Sequence, residues 1–216
     1  MTVDTSQRQV NIKIEALGKV FGRERIIRNF SYEFTHGSST AITGSNGSGK
    51  STLLKLLAGI IIADKGKITY FIEDSPIAAE ELFRYISFCA PAQHLIEEFT
   101  LAEMLSFHLK FRKLLPGFDQ KKLLELSYFK GEESKKINLF SSGMKQRLKL
   151  ALALFTDTPV LMLDEPTTNM DDQGVKWYKE QILKMVDKRL VIVASNQPHE
   201  YEFCNQLISI GDYKQH

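Results

Sequence analysis

Nine consecutive residues decide most of what this chain can fold into. Gly44-Ser45-Asn46-Gly47-Ser48-Gly49-Lys50-Ser51-Thr52 fit the pattern G-x-x-x-x-G-K-[ST] at every fixed position. They follow the apolar Ala41-Ile42-Thr43 and open the helix-like run Thr52-Leu53-Leu54-Lys55-Leu56-Leu57. A strand, a glycine-rich loop and a helix start, in that order, make a phosphate cradle. The glycines let backbone N–H groups converge on the anion, and the helix points its positive end at it. In such a cradle Lys50 reaches the β- and γ-phosphates, and the Ser51 hydroxyl binds Mg²⁺.

The rest of the chain supplies an α/β frame. Residues 10–16 and 30–34 alternate apolar and polar, with Gly37 closing the second run, which predicts an antiparallel N-terminal sheet. Residues 67–72 read as a further strand after the turn Asp64-Lys65-Gly66. Residues 101–115 and 120–129 read as helices broken by Pro116-Gly117, and residues 131–136 as a solvated loop. The block from about 75 to 150 therefore reads as a helical lobe set into the core. A helix over 143–155, a buried strand over 160–163, an amphipathic helix over 175–186 and a continuous apolar strand over 190–194 resume the core pattern. The expected fold class is α/β: a P-loop NTPase core with a mostly parallel sheet, an N-terminal antiparallel β subdomain and an inserted helical lobe, within one domain spanning 1–216.

Composition narrows the setting. A net charge of +2 with no basic tract argues against nucleic acid as a partner. Cys89 and Cys204 have neither a disulfide framework nor metal-ligand spacing and read as reduced thiols in a cytosolic protein. The polar residues 1–9 lack a signal-peptide core, and the longest apolar runs, 56–63 and 150–155, fall far short of the ~20 residues that cross a bilayer. A role at a membrane would require another chain to supply the span.

The apolar strand 160–163 ends in Asp164-Glu165. Asp164 suits a Mg²⁺ ligand and Glu165 a general base that polarises the attacking water; Asp164 could also serve simply as a helix cap. Between the two motifs lies Phe140-Ser141-Ser142-Gly143-Met144-Lys145-Gln146-Arg147, which resembles the L-S-G-G-Q-x-Q-R signature of ABC-type ATPases, with Phe140, Ser142 and Met144 as departures. The resemblance covers nearly the whole chain in the expected order. It implies that Ser141, Ser142, Gly143 and Met144 grip the γ-phosphate of ATP bound to a second subunit. The same residues also read as an ordinary helix N-cap. Met144 in place of glutamine removes one side-chain hydrogen bond.

The resemblance also places Phe21 where an aromatic stacks on adenine, against a plain reading as strand-end packing, and Asp171 as an interface aspartate after Glu165. Two positions depart from the family. The glutamine that senses Mg²⁺ or water falls on Pro91, leaving Gln93 as its substitute if the loop is shifted. The histidine that contacts the γ-phosphate is Asn196, and His199, behind Pro198, reads as a surface residue at a helix start. The resemblance thus implies an ATP-binding, ATP-hydrolysing subunit with Mg²⁺ as cofactor. It would pair with a second such subunit, as a homodimer, and power a separate membrane-spanning permease from the cytoplasmic face, in an export-type system. Asn196 and the 91–93 loop imply slower hydrolysis. A soluble non-transport ABC-type regulator is the alternative. An unrelated P-loop kinase would lack the signature stretch and the Asp164-Glu165 pair.

Overall fold

The computed structural model describes residues 8–213. The chain opens with a long hairpin of β1 (Val10–Phe21) and β2 (Glu24–Phe34), then enters the core through β3 (Ser39–Thr43) and α1 (Lys50–Leu57). It returns to the hairpin with β4 (Lys65–Ile72) and the short β5 (Ser75–Pro76), giving a four-stranded antiparallel sheet in the order β2-β1-β4-β5. The edge strand β6 (Ile86–Cys89) precedes the helices α2 (Leu101–Phe111), α3 (Gln120–Leu126) and α4 (Ser142–Phe155). Then β7 (Val160–Asp164), α5 (Asp172–Ile182), β8 (Leu190–Ala194) and β9 (Gln206–Ser209) complete a five-stranded parallel sheet in the order β6-β7-β8-β3-β9.

The continuous apolar runs of β7 and β8 have a direct explanation: both faces of the parallel sheet are covered. Side chains of a strand alternate between faces. Accordingly Val160, Met162, Leu190 and Ile192 enter the core shared with α1 and the antiparallel sheet, while Leu161, Leu163, Val191 and Val193 enter the core shared with α2 to α5. A one-residue slip would exchange the two sets. The register sets Asp164 opposite Ala194 and Ala194 opposite Ile42, so the carboxyl ends of β7, β8 and β3 lie abreast. That edge carries the site, as parallel α/β sheets generally do.

Three local expectations change. The helix expected to reach 115 stops at Phe111, because Leu114 bridges to Thr156 and the Leu115 N–H donates to the Phe155 carbonyl. The helix expected to reach 129 stops at Leu126. The Ser127 hydroxyl turns back to the Leu123 carbonyl, and Tyr128 adopts a left-handed φ of 58°. Within the stretch expected to form the lobe, β6 pairs in parallel with β7 and belongs to the core sheet. The lobe's helices therefore begin only at Leu101, where Thr100 and Glu103 form a capping box.

Candidate functional site

The loop between β3 and α1 holds the predicted phosphate residues together. Gly49 caps α1 at φ 105°, and a Cβ there would lie 2.8 Å from Ile26 Cγ2, so the position requires glycine. The Ser48 N–H donates to the Ser45 carbonyl at 3.0 Å, which tightens the loop. The Ser48 hydroxyl is buried and has no protein partner, an orphan that a phosphate oxygen would satisfy. Lys50 is 4% exposed, and its ammonium donates to the carbonyls of Gly44 at 2.9 Å and Ser45 at 3.1 Å. Asn46, Gly47, Ser48, Gly49, Lys50, Ser51 and Thr52 line one concavity together with Glu24, Ile26 and Glu165.

The two predicted Mg²⁺ ligands meet. Ser51 Oγ donates to Asp164 Oδ1 at 2.9 Å across 113 residues of sequence. Asp164 is the last residue of β7, not a helix cap. Burial pushes its carboxyl above the usual carboxylate range and neighbouring Glu165 adds to the rise, while the Ser51 hydrogen bond and the cations Lys55 and Lys50 oppose it. Two hard oxygen donors at the phosphate end of the loop fit Mg²⁺, which takes one or two protein oxygens and fills its other positions with substrate and water.

Glu165 follows in a left-handed conformation, φ 41°, its N–H donating to the Ala194 carbonyl at 2.9 Å. A non-glycine residue held there stores strain that the surrounding structure must enforce. The side chain borders both the phosphate cradle and an adjoining cleft of about 360 Å³. Asn196 lies at the same border: its amide donates to Asn46 Oδ1 of the loop at 2.9 Å.

The signature residues form a separate concavity. Ser141 caps α4, its Oγ accepting from the Met144 N–H at 3.2 Å. Gly143 lies so close to the segment after Glu165 that a Cβ would come within 2.8 Å of the Asn169 carbonyl oxygen. Asp171 caps α5 through the Gly174 N–H at 2.8 Å and lines this concavity with Ser141, Ser142, Gly143, Met144 and Arg147. Met144 packs against the helical-lobe core. The signature and the phosphate cradle share no lining residue.

Gln93 is not brought to the cradle. Its amide accepts from the Ala90 N–H at 3.0 Å and donates to the Phe88 carbonyl at 3.1 Å, and it lines a different cavity, beside His108 and Lys149. The cause is Lys149 of α4, whose ammonium gathers the carbonyls of Ala90, Pro91 and Gln93 at 3.2, 2.9 and 3.4 Å and holds the loop against the helical lobe. Phe21 stands half exposed at the end of β1 with the Lys19 ammonium 5.2 Å from its ring, on the hairpin that brings Glu24 and Ile26 to the loop. His199 is not a plain surface residue: it lines the cleft beside Glu165 and Asn196, and its Nε2 lies 3.1 Å from Thr167 Oγ1. Sequence reasoning also passed over Glu200, which is 2% exposed, although a glutamate soon after a buried strand was a visible signal.

A family model described as "ABC transporter" matches residues 27–168. The chain is 32% identical over 198 residues to "Uncharacterized ABC transporter ATP-binding protein YybJ" of Bacillus subtilis strain 168, covering 88% of this chain and 86% of that one. It is 30% identical to "Nod factor export ATP-binding protein I" of Bradyrhizobium diazoefficiens, covering 91% of this chain and 67% of the relative. Among solved structures, a putative ABC transporter ATP-binding protein from Pyrococcus furiosus superposes with a TM-score of 0.77 at 20% identity, over 95% of this chain and 100% of that one. That likeness establishes the fold.

Proposed function

The chain belongs to the ABC transporter family, and we propose that it is the ATP-binding and ATP-hydrolysing subunit of an export-type transporter. The observation that carries this reading is the Ser51–Asp164 hydrogen bond, which joins the phosphate loop to the acidic end of β7. Backbone N–H groups of the loop and Lys50 hold the β- and γ-phosphates, with Lys50 exchanging its carbonyl partners for phosphate oxygens. Ser51 and Asp164 would hold Mg²⁺, which would supply charge neutralisation at the phosphate oxygens. Glu165 takes a proton from the attacking water. Asn196 keeps Asn46 in place and so tends the loop. Phe21, exposed on the hairpin, offers a face for adenine.

Separation of the signature from the cradle supports a working homodimer: Ser141, Ser142 and Gly143 of one copy close on ATP held by the other. No helix among the described residues is long and apolar enough to cross a membrane. Family membership supports a separate membrane-spanning partner, with this subunit peripheral on the cytoplasmic face. The Bradyrhizobium relative's named role in export supports that direction. Phosphate release by the wild type against Glu165→Gln tests the hydrolytic claim; equal rates remove Glu165 as the base. Co-purification from detergent-solubilised membranes tests the transport claim; a protein with no membrane partner at native levels overturns it in favour of a soluble regulator.

A further inference from the structure

The cleft beside the phosphate cradle contains one imidazole, and its hydrogen bonding can be worked out by counting protons. Thr167 Oγ1 lies 2.5 Å from Glu200 Oε1 and 3.1 Å from His199 Nε2. A hydroxyl has one proton, and a carboxylate only accepts. Thr167 therefore donates to Glu200 and accepts from His199, which must carry its proton on Nε2. Glu200 Oε1 also takes the Thr167 N–H at 2.7 Å, and Oε2 takes the Ser195 hydroxyl. The Glu200 carbonyl accepts from Tyr178 Oη at 2.7 Å. This buried carboxylate ties the end of β8 to the turn that carries Glu165, and His199 is the outermost link of the chain.

We propose that His199 is a positioning residue of the hydrolytic cleft. Through Thr167 it braces the turn that holds Glu165 in its left-handed conformation. Among the described residues the charged groups lining the cleft with it are Glu165, from the turn after β7, and Glu200, from its own turn; no lysine or arginine does. The inference rests on the hydrolytic reading above.

Two variants test the brace. His199→Ala removes the donor to Thr167, whereas His199→Gln keeps an N–H donor for it. In steady-state phosphate release, His199→Ala is expected to lower kcat about ten-fold with KM for ATP within about two-fold, and His199→Gln to recover most of that loss. Fluorescent-nucleotide binding confirms that each variant is folded. Wild-type kcat in His199→Ala, or a kcat in His199→Gln as low as that of His199→Ala, overturns the proposal. If Glu165→Gln hydrolyses ATP as fast as the wild type, the hydrolytic reading fails; if it is inactive while the His199 variants behave as wild type, only the present inference fails.

Discussion

Replacing Gly143 by alanine sets two known effects against each other, and their balance can be read from the structure. Gly143 is the second residue of α4, and alanine is worth about 1 kcal/mol more than glycine inside a helix. The added Cβ would meet the Asn169 carbonyl oxygen at 2.8 Å. That neighbour is backbone, in a segment pinned on either side by Thr167 and by the Asp171 cap, so it cannot swing away as a flexible side chain would. Overpacking of this kind costs about 1–3 kcal/mol. The net effect is a loss of up to about 2 kcal/mol. For a domain of this size each kcal/mol shifts the melting midpoint by about 2–4 °C. Differential scanning calorimetry should therefore show a lower midpoint, by as much as about 8 °C. A midpoint that rises by a few degrees would mean that helix propensity alone is acting and that the Asn169 contact is not a constraint; that result refutes the reasoning. The same variant should bind fluorescent ATP within about two-fold of wild type, since no cradle residue is touched, yet release phosphate at least about ten-fold more slowly, equivalent to about 1.4 kcal/mol of barrier.

Gln146, 2% exposed, donates from Nε2 to the Pro166 carbonyl at 2.9 Å; Gln146→Leu leaves that carbonyl unsatisfied and should cost about 1–3 kcal/mol in urea unfolding. Burial, aided by nearby Arg112, holds the His108 imidazole down at about 4 from its ordinary 6.5. The folded state thus resists taking up the proton. The stability it contributes is present above pH 6.5 and is lost as pH falls toward 4, by at most about 3 kcal/mol. His108→Gln, which can keep a bond to Thr156 Oγ1, should flatten that acid limb in pH-dependent denaturation; an identical limb would assign the loss to other groups. Lys149→Met should speed hydrogen exchange in the 90–93 loop with little change in ATP binding, because the three carbonyls gathered by the ammonium lose their common donor.

The sequence was most legible where chemistry leaves little choice. The phosphate loop and Asp164 are motifs whose residue types follow from a phosphate and a cation, and the apolar runs of β7 and β8 follow from burial on both faces. Legibility failed where a residue's place depends on partners distant along the chain. β9 has only Ile208 buried among its four residues, so no periodicity marked it. Helix α2 stops because of a bridge to Thr156, far along the sequence. Gln93 was expected to replace the sensor of Mg²⁺ or water if its loop shifted, but a lysine of α4 holds that loop against the lobe. His199 read as a surface residue because the groups that draw its turn inward, Thr167 and Tyr178, lie 32 positions before it and 22 before Glu200.

Lys149 has a mechanical consequence. The 90–93 loop is covalently continuous with the core sheet through β6, yet three of its carbonyls are fastened to a helix of the lobe. Helix α4 also begins with the signature, two turns before Lys149. A displacement of the loop would therefore be carried along α4 to the residues proposed to meet a second ATP, and movement of those residues would carry back to the loop. The ammonium works as a clutch plate: its removal would leave both the engine and the load intact and let one spin without the other.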